Sequence, residues 1–121
     1  MKMCLVVDDS DVVRKVARRI AEELNFVPLE AANGTEALEQ CRNDMPDAII
    51  LDWHMPNMDG IAFIEALQQE EDGQDPKVFY CTTEHDAAQI NRALSSGATD
   101  FMLKPYDFNL VREKFQSAGL V

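Results

Sequence analysis

AIILDWHMPNMDG, from Ala48 to Gly60, is a short apolar run that ends on an aspartate and breaks into a loop punctuated by proline and glycine. Ala48, Ile49, Ile50 and Leu51 are apolar at every position, which suits a strand buried on both faces rather than one half-exposed to water. Asp52 then falls where that strand reaches its carboxyl end. In open α/β sheets the ligand crevice lies outside the carboxyl ends of the strands, so a carboxylate placed there can serve as a nucleophile or a metal ligand.

Working outward, the N-terminal side repeats the pattern. Cys4 to Val7 is a second continuous apolar run that stops at Asp8, Asp9 and Ser10, and Val13, Val16, Ala17, Ile20 and Leu24 follow at helical spacing. Val27 to Ala31 is a weaker strand; Pro28 cannot donate to a ladder, which points to a sheet edge. Asn33 caps a helix through Arg42, with Ala37, Leu38 and Cys41 facing in. On the C-terminal side, Ile61 to Gln69 reads as a helix and Glu70 to Pro76 as a polar loop. Val78 to Thr82 is a fourth strand, Asp86 to Leu94 a helix closed by Gly97, and Phe101 to Leu103 a fifth strand. Asp107 caps a last helix through Phe115.

Strands alternating with helices predict an α/β, doubly wound, five-stranded parallel sheet covered on both faces by five helices. The flavodoxin-like strand order 2-1-3-4-5 puts the second strand on an edge, as Pro28 requires, and sets strands one and three side by side. Asp8, Asp9 and Asp52 then converge at one rim, where Thr82 and Lys104 follow the fourth and fifth strands. Clustered carboxylates repel each other, which raises at least one pKa or recruits a cation. Mg²⁺ suits one or two carboxylates with waters and phosphoryl oxygens, whereas a calcium loop needs a local run of spaced ligands that is absent here. Zinc is disfavoured because His54 and His85 lack any paired Cys or His spacing, and both side chains read as loop or surface groups. A carboxylate nucleophile, a cation site, a hydroxyl and a fixed ammonium are the parts phosphoryl transfer needs.

Composition narrows the partners. The chain has 121 residues, a length that fits one domain spanning 1–121, and it carries a formal net charge of −11. That charge repels nucleic acid and anionic lipid, so a protein or a divalent cation is the expected partner. The apolar run at Cys4 is too short for a signal peptide, and no stretch reaches the ~18 apolar residues of a membrane span. The expectation is a cytoplasmic protein with no membrane insertion. Cys4, Cys41 and Cys81 form no CxxC pair and read as reduced thiols.

VVDDS at Val6 to Ser10, AANGTEAL at Ala31 to Leu38, LDWHMPNMDG at Leu51 to Gly60, the Thr82 Thr83 pair and GATDFMLKP at Gly97 to Pro105 occur in order along nearly the whole chain. Together they resemble the receiver domain of two-component response regulators. The resemblance implies that Asp52 is the phosphoacceptor, that Asp8, Asp9 and the backbone carbonyl of His54 hold Mg²⁺ beside it, that Thr82 binds the phosphoryl group and that Lys104 neutralises it. It also places Phe101 at the family's aromatic switch position and Pro105 at its cis peptide bond. With no linker after the last helix, the layout is similar to stand-alone receivers such as the chemotaxis regulator. The implied partners are a histidine kinase or histidine phosphotransfer protein as donor, and a downstream target on the face of helix 4, strand 5 and helix 5. His54 and Thr83 sit where the family varies, which leaves the phosphate lifetime open.

Other classes fit less well. A haloacid-dehalogenase-like phosphatase needs a second aspartate two residues after the nucleophile, where this chain has His54. A flavodoxin-like cofactor binder needs an anion-binding first turn, and Asp8 with Asp9 opposes that. A phosphate sink or shuttle in a phosphorelay shares all the chemistry and stays open beside signalling. Arg14, Lys15, Arg18 and Arg19 on the first helix carry two further expectations: pairing of Arg18 with Glu22 and Arg19 with Glu23, or steering of an acidic donor.

Overall fold

The computed structural model describes residues 1–55, 57–83 and 86–121; the expectation for His85 lies outside them. The elements run β1 Met3–Val7, α1 Asp11–Glu23, β2 Val27–Ala31, α2 Gly34–Asn43, β3 Ala48–Asp52, α3 Gly60–Gln68, β4 Lys77–Thr82, α4 Ala87–Ser96, β5 Asp100–Leu103 and α5 Phe108–Ser117. The strands form one parallel sheet in the order β2-β1-β3-β4-β5. Pro28 is thus on an edge strand, paired in register with Cys4, and every residue of the central β3 is buried.

Strand alternation divides the core between the two faces. Leu5, Val7, Ile49, Leu51, Val78 and Tyr80 point to one side and pack with Leu38, Ile64, Leu67 and Ala93 of α2, α3 and α4. Cys4, Val6, Ile50, Phe79 and Cys81 point to the other and meet Ala17, Ile20 and Ala21 of α1 and Val111 and Phe115 of α5. Phe115 anchors that second layer, its ring centroid 5.3 Å from Phe26 and 4.9 Å from Phe79. Burying each large apolar side chain of this kind contributes roughly 1.5–3 kcal/mol before the entropy of ordering is subtracted. The three thiols are free and buried, and burial alone pushes Cys4 up to about 12, which leaves it unreactive at neutral pH.

Each helix begins on a side-chain cap that satisfies an otherwise orphaned amide. Ser10 accepts from the amide of Val13, Asn33 from Glu36, Asp59 from Ala62, Asp86 from Ala88 and Asp107 from Leu110. Glu36 also accepts from the Asn33 side-chain amide at 3.1 Å, so that cap is reciprocal. One inward assignment changes. Val16 is 49% exposed, because the buried stripe of α1 is Ala17, Ile20 and Ala21, and a residue one step before Ala17 lies about 100° around the helix from it.

Candidate functional site

The rim at the carboxyl ends of β1, β3, β4 and β5 is where the sheet's hydrogen bonds run one residue past the strands. The amide of Asp8 donates to the carbonyl of Ala31 at 3.1 Å, that of Trp53 to Cys81 at 3.0 Å, and that of Lys104 to Thr82 at 2.8 Å. These bonds fix the backbone under each polar side chain. Asp8, Asp52 and Thr82 are the buried polar residues among those described, with 3%, 6% and 3% exposure; Asp9 is exposed. Carboxylate oxygens of Asp8, Asp9 and Asp52 all lie within 4.8 Å of one another. An all-oxygen set of this size suits a hard cation such as Mg²⁺ and lacks the nitrogen or sulfur donors of a zinc site.

The Lys104 ammonium bridges the cluster, 2.8 Å from Asp8 Oδ2 and 2.8 Å from Asp52 Oδ1. Burial disfavours the charged carboxylate of Asp52; the hydrogen bond from Lys104 works against that, but the charge of Asp8 adds to it, and the Asp52 pKa ends above the ordinary carboxylate range. Burial also disfavours the ammonium, yet the hydrogen bonds to Asp52 and Asp8 outweigh it and raise Lys104 above the usual lysine value. The site therefore holds a carboxylate whose charge burial disfavours and an ammonium that stays charged.

His54 is exposed, with its ring centroid 5.1 Å from that of Trp53. The Lys104–Pro105 peptide bond is cis. Phe101 lies beside Tyr80 in the β4–β5 register and is half-buried against the core, with the Lys114 ammonium 5.1 Å from its ring centroid and 3.1 Å from Asp100 Oδ2. Next to Lys104, the side chains of Val12, Val13, Val16, Thr83, Pro105 and Tyr106 line an open, mostly apolar groove.

The basic side of α1 meets the sequence expectation in the Arg18–Glu22 pair and departs from it at Arg14 and Arg19. Arg14 turns back toward the sheet, donating to the Asp8 carbonyl and pairing with Glu30 and Asp11. Arg18 pairs with Glu30 at 2.9 Å and reaches Glu22 at 3.9 Å, while Arg19 makes no ion pair among the described residues. Lys15 and Arg19 are the two of these four cations that make no ion pair among the described residues. Two residues take parts that the sequence reading did not assign to them. Gly60 closes the loop after β3, its amide donating to the Trp53 carbonyl at 3.0 Å. The turn of Arg14 had a signal, since it shares a helical stripe with Ala17 and Ala21.

A parallel sheet in this strand order, with an acidic cluster and a lysine at the β1/β3 switch point, defines a flavodoxin-like α/β protein whose candidate site lies outside the carboxyl ends of the strands. The sequence matches the response regulator receiver domain across residues 4–116, and the chain belongs to that family of two-component signalling proteins. It is 31% identical over 114 residues to a chemotaxis protein CheY homolog of Campylobacter jejuni, covering 93% of this chain and 88% of that one. It is 34% identical over 102 residues to the phosphate regulon transcriptional regulatory protein PhoB of Escherichia coli strain K12, covering 84% of this chain but only 44% of PhoB. Among solved structures, chemotaxis protein CheY4 of Vibrio cholerae superimposes with a TM-score of 0.91 at 27% identity, over 97% of this chain and 98% of that one.

Proposed function

We propose that this chain is a single receiver domain over residues 1–121 that accepts a phosphoryl group on Asp52 and signals by phosphorylation-dependent protein binding. The observation that carries the reading is the Lys104 bridge to two buried carboxylates, 2.8 Å from each. A carboxylate so held is oriented for attack, and a fixed ammonium beside it neutralises charge that develops on the transferred group.

In the proposed step an oxygen of Asp52 attacks phosphorus of a phosphohistidine or a small acyl phosphate. The bond from phosphorus to the donor's nitrogen or oxygen breaks, and the electron pair leaves with the imidazole or carboxylate. Asp8, Asp9, Asp52 and the His54 carbonyl would hold Mg²⁺, which when bound supplies charge neutralisation at the phosphoryl oxygens. Thr82 contributes a hydroxyl donor to the same oxygens, and Lys104 the fixed positive charge. The chain is thus a phosphorylated signalling protein rather than an enzyme acting on a separate substrate.

The donor, a histidine kinase or histidine phosphotransfer protein, would dock on the apolar groove of Val12, Val16, Pro105 and Tyr106. Lys15 and Arg19 flank it on the outer side of α1 by helical spacing. The output face would be α4, β5 and α5, with Phe101 as its two-state element. A phosphoryl group adds about two negative charges at Asp52, and drawing Thr82 toward it opens space beside Phe101.

Amide spectra with and without beryllofluoride and Mg²⁺ test this. The expected result is shifts at the rim together with shifts through α4, β5 and α5, both requiring Mg²⁺. Shifts confined to the rim would reject signalling through this face in favour of a phosphate sink, and no shifts at all would reject the receiver chemistry.

A further inference from the structure

Arg14 turns inward from α1 and reaches the backbone at the end of β1. Its side chain is only 14% exposed. Nη1 donates to the backbone carbonyl of Asp8 at 2.6 Å, Nε to Glu30 Oε1 at 3.3 Å, and Nη2 pairs with Asp11. One planar fork therefore ties together the end of β1, the first turn of α1 and the edge strand β2. Asp8 is otherwise held by its amide on Ala31, by the amide of Ser10 on Oδ1 at 2.9 Å, and by Lys104 on Oδ2. If Lys104 shifts toward a phosphoryl group or a cation takes its place, the contact to Oδ2 is the one that changes. The Arg14 bond is to the backbone and survives that change.

From this geometry we infer that Arg14 is a positioning residue for the cation site, fixing the Asp8–Asp9 turn so that both carboxylates present their oxygens toward Asp52. The inference rests on the proposed Mg²⁺ site. A competing effect is repulsion between the guanidinium and a divalent ion. Asp11 and Glu30 both pair with Arg14, and two carboxylates offset the guanidinium charge even though Glu30 is shared with Arg18. Orientation therefore outweighs repulsion, and loss of Arg14 weakens cation binding instead of strengthening it. Partners that orient ligands from outside the coordination shell typically change metal affinity by roughly 10–100-fold when removed. A backbone-mediated hold belongs at the low end of that range.

The test is a Mg²⁺ titration followed by the fluorescence of Trp53, the sole tryptophan, which adjoins Asp52, on wild type, Arg14→Ala and Arg14→Lys, with the metal-free melting temperature measured alongside. The expected result is Mg²⁺ affinity about tenfold weaker in both variants, because lysine keeps the charge but not the fork. Should Arg14→Ala fail to fold, Arg14→Lys carries the comparison alone. A lowered melting temperature with unchanged Mg²⁺ affinity would reduce Arg14 to a structural brace and overturn the inference, as would tighter binding. Absence of Mg²⁺ binding in wild type would instead overturn the cation site itself, and the role of Arg14 with it.

Discussion

At the scale of single residues, the chain keeps one carboxylate where folding alone would not put it. Asp52 is buried beside Asp8, and its pKa is raised by burial first, relieved by the bond from Lys104, and raised again by the Asp8 charge. Between the ordinary carboxylate value and the raised folded value, the native state binds more protons than the unfolded chain. Stability therefore falls as pH rises through that window, and the loss is complete above it. Asparagine keeps the shape and an oxygen for Lys104 while removing the charge. Metal-free Asp52→Asn should accordingly melt higher than wild type at neutral pH, and its melting temperature should decline less between acid and neutral pH. Equal slopes in the two proteins would show that Asp52 is not the group under strain. The same residue was legible in the sequence because an apolar run stops on it. Arg14 was less legible, since a row of four cations on one helix does not say which turns inward until Glu30 and the Asp8 carbonyl are in place to receive it.

At the scale of elements, β3 ends on Asp52 and α3 begins on Gly60, and Gly60 is a point with no room for a side chain. A Cβ there would sit 2.9 Å from Tyr80 Cε1, 3.0 Å from the Asp52 carbonyl oxygen and 3.1 Å from Trp53 Cα. Two of these neighbours are backbone atoms of the segment that carries the site, so they cannot rotate away. Gly60→Ala should destabilise by about 1–3 kcal/mol, as overpacking does, in urea unfolding. It should also weaken Mg²⁺ binding, because the displaced backbone is that of Asp52 and Trp53. A fully stable variant would mean that the loop yields elsewhere. Sequence reading found the strands well because each is bounded by polar turns, and element ends moved by only one or two residues. It misplaced Val16, since periodicity alone treats every apolar residue near the stripe as buried; the groove it lines with Pro105 and Tyr106 brings together residues far apart in the chain.

At the scale of the whole molecule, two half-cores lie on opposite faces of one sheet, and the buried polar residues Asp8, Asp52 and Thr82 gather at its carboxyl rim. The fold was legible because its rules are few: buried parallel strands, right-handed crossovers and an edge for Pro28. Convergence of Asp8, Asp9, Asp52, Thr82 and Lys104 on one rim follows from strand order alone, whereas the Lys104 bridge and the Lys114 cover over Phe101 depend on side-chain packing that no linear pattern encodes. The account stands on Asp52 being the phosphoryl acceptor. Intact mass measured after incubating wild type and Asp52→Asn with a small acyl phosphate and Mg²⁺ tests this most directly. The account predicts a single phosphoryl adduct on wild type and none on the variant; an equal phosphorylated fraction in both would place the acceptor elsewhere and contradict it.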